Sequence, residues 1–275
     1  MMQIFEGYMI VHNGIVWSVK GCFHPPGHVI ALPRYVMGKK VKRMSDELRI
    51  VRERFPSYLR YLEEIGFEVP LVPLSESEIL DPFSLKKDSL DAKLSEFISL
   101  FDNVGVTGSY LYSRTGNDFD LLSTDPRNYF ILKELRKKGI TDPLTSVEKS
   151  ELETLDSRDF SLLKSRRVLE GMYKGVPYTF KIVECINFGR VKKIERFEGT
   201  IKITEAKKPF SLPVMYLTSL GITLTSFRIR FTEIPVGTTL MVKGSLLHRE
   251  DMLDLDLDLA EEVKIVELGK LESAF

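Results

Sequence analysis

Two aspartates, Asp118 and Asp120, stand two residues apart inside the apolar run NDFDLLS, and Gly108-Ser109 precedes them by a short loop. On a strand, residues i and i+2 point to one face, with Cα atoms about 6.6 Å apart. The spacing therefore predicts that both carboxylates project together while Phe119 and Leu121 turn to the core. Carboxylates held that close repel, and one of them rises in pKa unless a cation sits between them. Oxygen ligands alone suit Mg²⁺ (or Mn²⁺), which keeps several waters and completes its shell with substrate phosphates. Phosphoryl and nucleotidyl transfer use that arrangement: one metal neutralises charge on a nucleoside triphosphate and a second activates the attacking hydroxyl. Gly108 lets the backbone come close to a phosphate, and the Ser109 hydroxyl with neighbouring N–H groups can hold a phosphate oxygen. A turn followed by a polar strand face accounts for each residue singly but not for their combination.

Other residues carry weaker signals. Arg114, in the loop between the two motifs, can meet a phosphate or stay solvated. Lys164, Arg166 and Arg167 close an expected helix, where cations are favourable in any case; contact with triphosphate or nucleic acid is the sharper reading. His24-Pro25-Pro26 reads as a rigid turn, since Pro fixes φ and removes donors. Arg34 and Tyr35, on the strand that follows, could stack on a base, against the plainer reading of a packed Tyr beside a solvated Arg.

The elements that must position these residues fall into three segments, 1–85, 86–188 and 189–275. In the first, YMIVHNG and IVWSVKG meet at Asn13-Gly14, a strong hairpin signal, and HVIALPRYV adds a strand. Residues 44–66 read as helix interrupted near Pro56, and Ser75-x-x-Glu78 has the form of a capping box. In the second, Leu90, Leu94, Phe97, Ile98 and Phe101 space an amphipathic helix ending near Asn103. NVGVTGS reads as a strand and a turn, NDFDLLS as a strand, and RNYFILKELRKK as a helix between Asp125-Pro126 and Gly139. Thr145-x-x-Glu148 opens a further expected helix to about Glu170. From Met172 the period is two, through YTFKIVE, RFEGTIKITEA, LTSFRIRFTE, TTLMVKGSLL, MLDLDLDL and EVKIVEL. The fold class is α+β, with a C-terminal all-β barrel or sandwich. LDLDLDL, from Leu253 to Leu259, reads as a strand with Leu inward and Asp outward; it lacks the Gly-kinked loop of a calcium site.

The 275 residues suffice for one large or two modest domains. Net charge is zero, so attraction to nucleic acid or membrane must come from local patches. Residues 39–60 hold eight Lys/Arg against three acids, and 187–249 hold eleven against four. A basic stretch in a β tail is what an oligonucleotide-binding module shows, so RNA or DNA is a candidate partner there. Phe188, Phe197, Phe210, Tyr216, Phe227 and Phe231 are the rings on offer, and several must be core. No run approaches 18 apolar residues, and the N-terminal run lacks the basic start and apolar core of a signal peptide. Two cysteines, Cys22 and Cys185, are too few for a disulfide framework and form no CxxC, so a reducing, cytoplasmic setting is expected. Four scattered histidines argue against a His-rich metal site. GxxxxGK[ST], GxSxG, HExxH and a helix-opening GxGxxG are all missing from the sequence.

A strand, then Gly108-Ser109, a short loop, and Asp118-Phe119-Asp120 with apolar flanks resembles the motif of the polymerase-β-type nucleotidyltransferase superfamily. Eight residues separate Ser109 from Asp118, slightly fewer than that family usually has. HPPGHVIALPRYV, FPSYLRY, GVTGSYL and RFEGTI resemble a family of predicted nucleotidyltransferases known mainly from archaea, with a hairpin region before the mixed-sheet core and a small β domain after it. The resemblance implies that Gly108 and Ser109 hold triphosphate and that Asp118 and Asp120 bind magnesium. It also implies a third carboxylate on a later strand. Glu184 is the first choice, sharing a strand face with Tyr178, Phe180 and Ile182; Glu170 and Asp159 read as helical. The expected activity is Mg-dependent transfer of a nucleoside monophosphate from a nucleoside triphosphate to a hydroxyl of RNA, protein or a small molecule. The alternatives are a non-catalytic nucleic-acid-binding protein on the same scaffold and a regulatory partner protein of the toxin–antitoxin kind.

Overall fold

The computed structural model describes residues 3–270; residues 1–2 and 271–275, at the ends of the first and third expected segments, lie outside it. It is a mixed α+β structure with three sheets. Its contacts divide the described residues into two units, one of residues 3–60, 68–144 and 168–185, the other of 61–67, 145–167 and 186–270. Most of segment 1–85 shares a unit with most of the core, while 61–67 and 145–167, with its helix, belong with the C-terminal strands that begin after 185.

The first unit carries two sheets. Strands β1 (Met9–His12), β2 (Ile15–Val19), β3 (His28–Val36) and β4 (Lys39–Lys40) form an antiparallel series. Asn13 (φ 49°) and Gly14 (φ 70°) both adopt the positive φ that a two-residue hairpin turn needs. After β4 comes helix α1 (Met44–Arg54); then β5 (Leu59–Leu62), β6 (Phe67–Pro73) and β7 (Glu78–Leu80) follow. β6 pairs with β3, and β7 pairs with β1. The helix expected over 44–66 therefore ends at Arg54, because Pro56 has no N–H to continue it and the chain turns extended. Ser75-x-x-Glu78 opens no helix: Glu78 starts a strand, since pairing with β1 outweighs a local capping pattern.

The second sheet is the core. Helix α2 (Ala92–Ile98) buries Leu94, Phe97 and Ile98, and Phe97 stacks on Tyr173 with ring centroids 4.3 Å apart. Strand β8 (Val104–Val106), helix α3 (Gly108–Ser113), strand β9 (Phe119–Ser123) and helix α4 (Arg127–Lys137) follow, then β10 (Thr141–Asp142), β11 (Glu170–Tyr173) and β12 (Val176–Ile182). The order is β10-β11-β12-β9-β8, with β9 and β12 parallel and central. Gly108-Ser109 therefore starts a helix where a turn was expected. The long helix expected from Thr145 is reduced to α5 (Ser157–Lys164), capped by Asp156, and Glu170 lies in β11.

In the second unit, β13 (Val191–Lys208), β14 (Val214–Thr218), β15 (Ile222–Ser226), β16 (Thr239–Arg249), β17 (Leu253–Asp256) and β18 (Glu262–Glu267) make the third sheet. Neighbours run β13-β14-β15-β17-β16, and β16 pairs back to β13, closing a five-stranded barrel whose one parallel pair is β15–β17. Tyr216 and Phe231 are core rings here. The aspartates of LDLDLDL, Leu253 to Leu259, do not all face solvent. Asp254 is 1% exposed, accepting from Thr225 Oγ1 at 2.6 Å and from Arg249 Nε at 2.7 Å; a paired carboxylate can be buried where a lone one cannot.

Cys22 and Cys185 form a disulfide across 163 residues of chain, where no pairing was expected. It joins the loop after β2 to the segment after β12. Among the described residues no helix is long and apolar enough to cross a membrane. On chain-entropy grounds a closure this long is worth at most about 5 kcal/mol. Replacing both cysteines by Ser should lower unfolding stability by about 2–5 kcal/mol, measured by urea denaturation, and a reductant should have the same effect on the wild type but none on the double variant.

Candidate functional site

The site is built where β8, α3 and β9 meet. The Thr107 backbone N–H donates to the Asp120 carbonyl at 2.9 Å, and its hydroxyl donates to the Gly7 carbonyl at 2.6 Å. These bonds hold the chain as it enters α3. Gly108 follows with φ +65°, and a Cβ there would lie 2.0 Å from Asp120 Oδ2. The Asp120 side chain thus rests directly on the Gly108 backbone, and any other residue would expel it. Ser109 is half-buried in the first turn of α3. Gly116, in the return loop, lies against it: a Cβ there would meet Ser109 Oγ at 2.3 Å. The short spacing from Ser109 to Asp118 is therefore filled by one short helix and a tight return.

Asp118 immediately precedes β9 and Asp120 is its second residue; both are half-buried, whereas Phe119 and Leu121 are 1% and 0% exposed. This is the alternation expected from the sequence. Burial is the main cause of a raised pKa at Asp118, and the nearby Asp120 charge adds to it; Lys40, the Asp118 backbone N–H and Arg34 act against the rise. Lys40 and Arg34 belong to β4 and β3, so the N-terminal sheet contributes positive charge to the acid pair. Between those two residues in the chain, Tyr35 stacks on Tyr112 of α3, with centroids 5.2 Å apart and planes at 26°. Tyr35 is 8% exposed, the packed tyrosine of the plainer reading. Arg34 is not simply solvated: Nη1 donates to the Val41 carbonyl at 2.8 Å and lies 3.7 Å from buried Glu47.

The third carboxylate is expected on a strand after β9, and β12 is the strand that pairs beside β9. In the parallel register of β12 on β9, Thr179 is opposite Asp120 and Phe180 opposite Leu121. Thr179 and Lys181 therefore share the face of Asp120, while Tyr178, Phe180 and Ile182 face the core. Glu184 lies two residues beyond the end of β12, outside its paired register with β9. Asp159 is buried in α5, where Oδ2 accepts from the Ile265 N–H at 2.7 Å. Glu170 is buried in β11. Among the described residues, no group of three or more His, Cys, Asp or Glu is placed to hold a metal.

Lys181 occupies the place instead. Its Nζ lies 4.0 Å from Glu6 Oε1, and Glu6 is 2% exposed. Glu6 also lies 3.9 Å from Lys20 Nζ and accepts the Gly21 N–H at 2.9 Å. Burial lowers the Lys181 pKa; Glu6 opposes that most, and Asp120 also raises it. Lys40 and Arg34 act electrostatically on Asp118, and Asp120 on Lys181; two carboxylates suit a hydrated divalent ion that completes its shell with phosphate oxygens. They do not form an all-protein cage. Lys181 was missed in the sequence although YTFKIVE, read at period two, places it on the Thr179 face.

The remaining candidates lie apart. Arg114 (φ 63°) closes α3, with its N–H on the Tyr110 carbonyl at 3.1 Å, and its side chain is exposed. Lys164 pairs with Glu151 at 2.7 Å, and buried Arg167 donates to the Arg230 carbonyl at 2.6 Å. Both belong to the second unit and hold it together. His24 Nδ1 accepts the Ile30 N–H at 3.2 Å in the turn before β3.

Gly108→Ala should lower stability by about 1–3 kcal/mol, through the left-handed backbone and the clash with Asp120, as read by thermal or urea unfolding. Asp118 gives a prediction of opposite sign. A carboxyl whose folded pKa is raised binds more protons in the native state, so it costs stability as pH rises through the window above the ordinary aspartate value. Without divalent cation, Asp118→Asn should therefore stabilise the protein at pH 7, by about 0.5 kcal/mol or more, with the gain vanishing below pH 4 or so; a loss at pH 7 contradicts this. Set against family models, curated proteins and solved structures, the chain matches none.

Proposed function

We propose that the chain is a Mg²⁺-dependent nucleotidyltransferase, moving a nucleoside monophosphate from a nucleoside triphosphate to a hydroxyl. The observation that carries this is the contact of the Asp120 carboxylate with the Gly108 backbone, at a separation only glycine allows. It makes the phosphate-type turn and the acid pair one site. Gly108 and Ser109 bind the β- and γ-phosphates through N–H groups and the hydroxyl. Asp118 and Asp120 hold magnesium, which when bound offsets phosphate charge and orients the triphosphate. Lys181 adds a fixed positive charge on the side where a third carboxylate was expected. The acceptor oxygen attacks the α-phosphorus and the bond to pyrophosphate breaks. Positioning and charge stabilisation are what such a transfer asks of the protein.

The presence of Lys181 favours one second reading, a nucleotide- or nucleic-acid-binding protein without turnover. Pyrophosphate release separates the two. With each of the four α-labelled nucleoside triphosphates and Mg²⁺, the wild type should release pyrophosphate and label an acceptor. Asp120→Ala should reduce the rate by at least a hundredfold while circular dichroism stays unchanged. Equal turnover in that variant rules out the transferase reading, and triphosphate binding without pyrophosphate release establishes the second.

A further inference from the structure

The hairpin of β3 and β4 ends in Met37 (φ 49°) and Gly38 (φ 75°), and the Met37 side chain is 89% exposed. Lys39, Lys40, Lys42 and Arg43 follow, all exposed. No other stretch of five residues in the chain holds four cations without an acid. The hairpin is not loose: Tyr35, paired with Lys40 in the β3–β4 ladder, packs with Met9, Val16 and Leu111 of α3 in one hydrophobic cluster. The Tyr112 ring, one residue on in α3, is braced from behind by Tyr35 and is 40% exposed. A backed aromatic ring beside a row of cations is how proteins hold a single strand, with bases on the ring and phosphates on the cations. A polyphosphate or an acidic peptide has no base to stack on such a ring.

The barrel, the part of the chain the sequence put forward for this role, offers less. Small Greek-key barrels of five strands bind oligonucleotides over their second and third strands, but here the third, β15, is buried at all five positions.

We infer that the β3–β4 hairpin and Tyr112 form a docking surface for single-stranded nucleic acid, leading its end to the Asp118–Asp120 site. This names the acceptor class and rests on the transferase reading for its second half. Tyr112, stacked on Tyr35 of the hairpin strand, lies in α3, the helix whose first residue, Gly108, carries the Asp120 side chain, so the two regions border one helix.

The test is fluorescence anisotropy with a labelled twelve-nucleotide single strand, RNA and DNA in turn, without metal or triphosphate, and with inorganic polyphosphate as competitor. The wild type should bind, and Lys39→Ala/Lys42→Ala/Arg43→Ala should bind at least tenfold more weakly, with the slope of log Kd against log salt reduced by about 2. Tyr112→Ala should bind about tenfold more weakly, while Tyr112→Phe, which keeps the ring, should match the wild type. No binding by the wild type, wild-type affinity in the triple variant, or equal binding by Tyr112→Ala overturns the inference. Asp120→Ala should bind the strand normally. Loss of transfer and loss of strand binding are therefore separate failures.

Discussion

The account depends on a steric constraint. Asp120 can lie where it does only because Gly108 has no Cβ. Gly108 takes the left-handed backbone without strain, and the half-buried carboxylate that rests on it is kept in place by better-satisfied neighbours. Thr107 bonds to the Asp120 backbone on one side and to Gly7 on the other. Phe119 and Leu121 are fully buried and fix the phase of β9.

Charge completes what sterics begin. Two carboxylates near one another need positive charge, and the chain brings it from three places distant in sequence: Arg34 on β3, Lys40 on β4 and Lys181 on β12. Glu6 in turn steadies Lys181 and Lys20 from a buried position. The Cys22–Cys185 bond ties the two segments that bear these lysines, since Cys22 follows Lys20 and Cys185 follows Lys181. The site is therefore poised for an anionic ligand that brings further oxygen atoms, more than for a bare cation.

How much of this was legible in the sequence follows from the range of the interactions. Local patterns were readable: the Asn13-Gly14 hairpin, the α4 helix with Pro before and Gly after, and the alternation that puts Asp118 and Asp120 on one side of Phe119. Non-local choices were not. Ser75-x-x-Glu78 looked helical until pairing with β1 drew Glu78 into a strand. Glu184 is expected from its alternation with Tyr178, Phe180 and Ile182, but which face of β12 meets Asp120 is set by the parallel register on β9, and that face carries Thr179 and Lys181. The disulfide spans 163 residues, and no spacing rule reaches that far. The LDLDLDL run reads as half-wet, but Thr225, 29 residues away, and Arg249, on the strand before it, satisfy Asp254 in a buried place.

The central claim is that Asp118 and Asp120 jointly hold a divalent ion beside the Gly108-Ser109 turn. Anomalous diffraction from crystals grown with Mn²⁺ and a non-hydrolysable nucleoside triphosphate analogue tests it most directly. The account predicts a manganese peak at bonding distance from both carboxylates, bridged to phosphate oxygens that also contact Gly108 and Ser109. A bound analogue whose metal lies elsewhere, or whose phosphates avoid the turn, would contradict it.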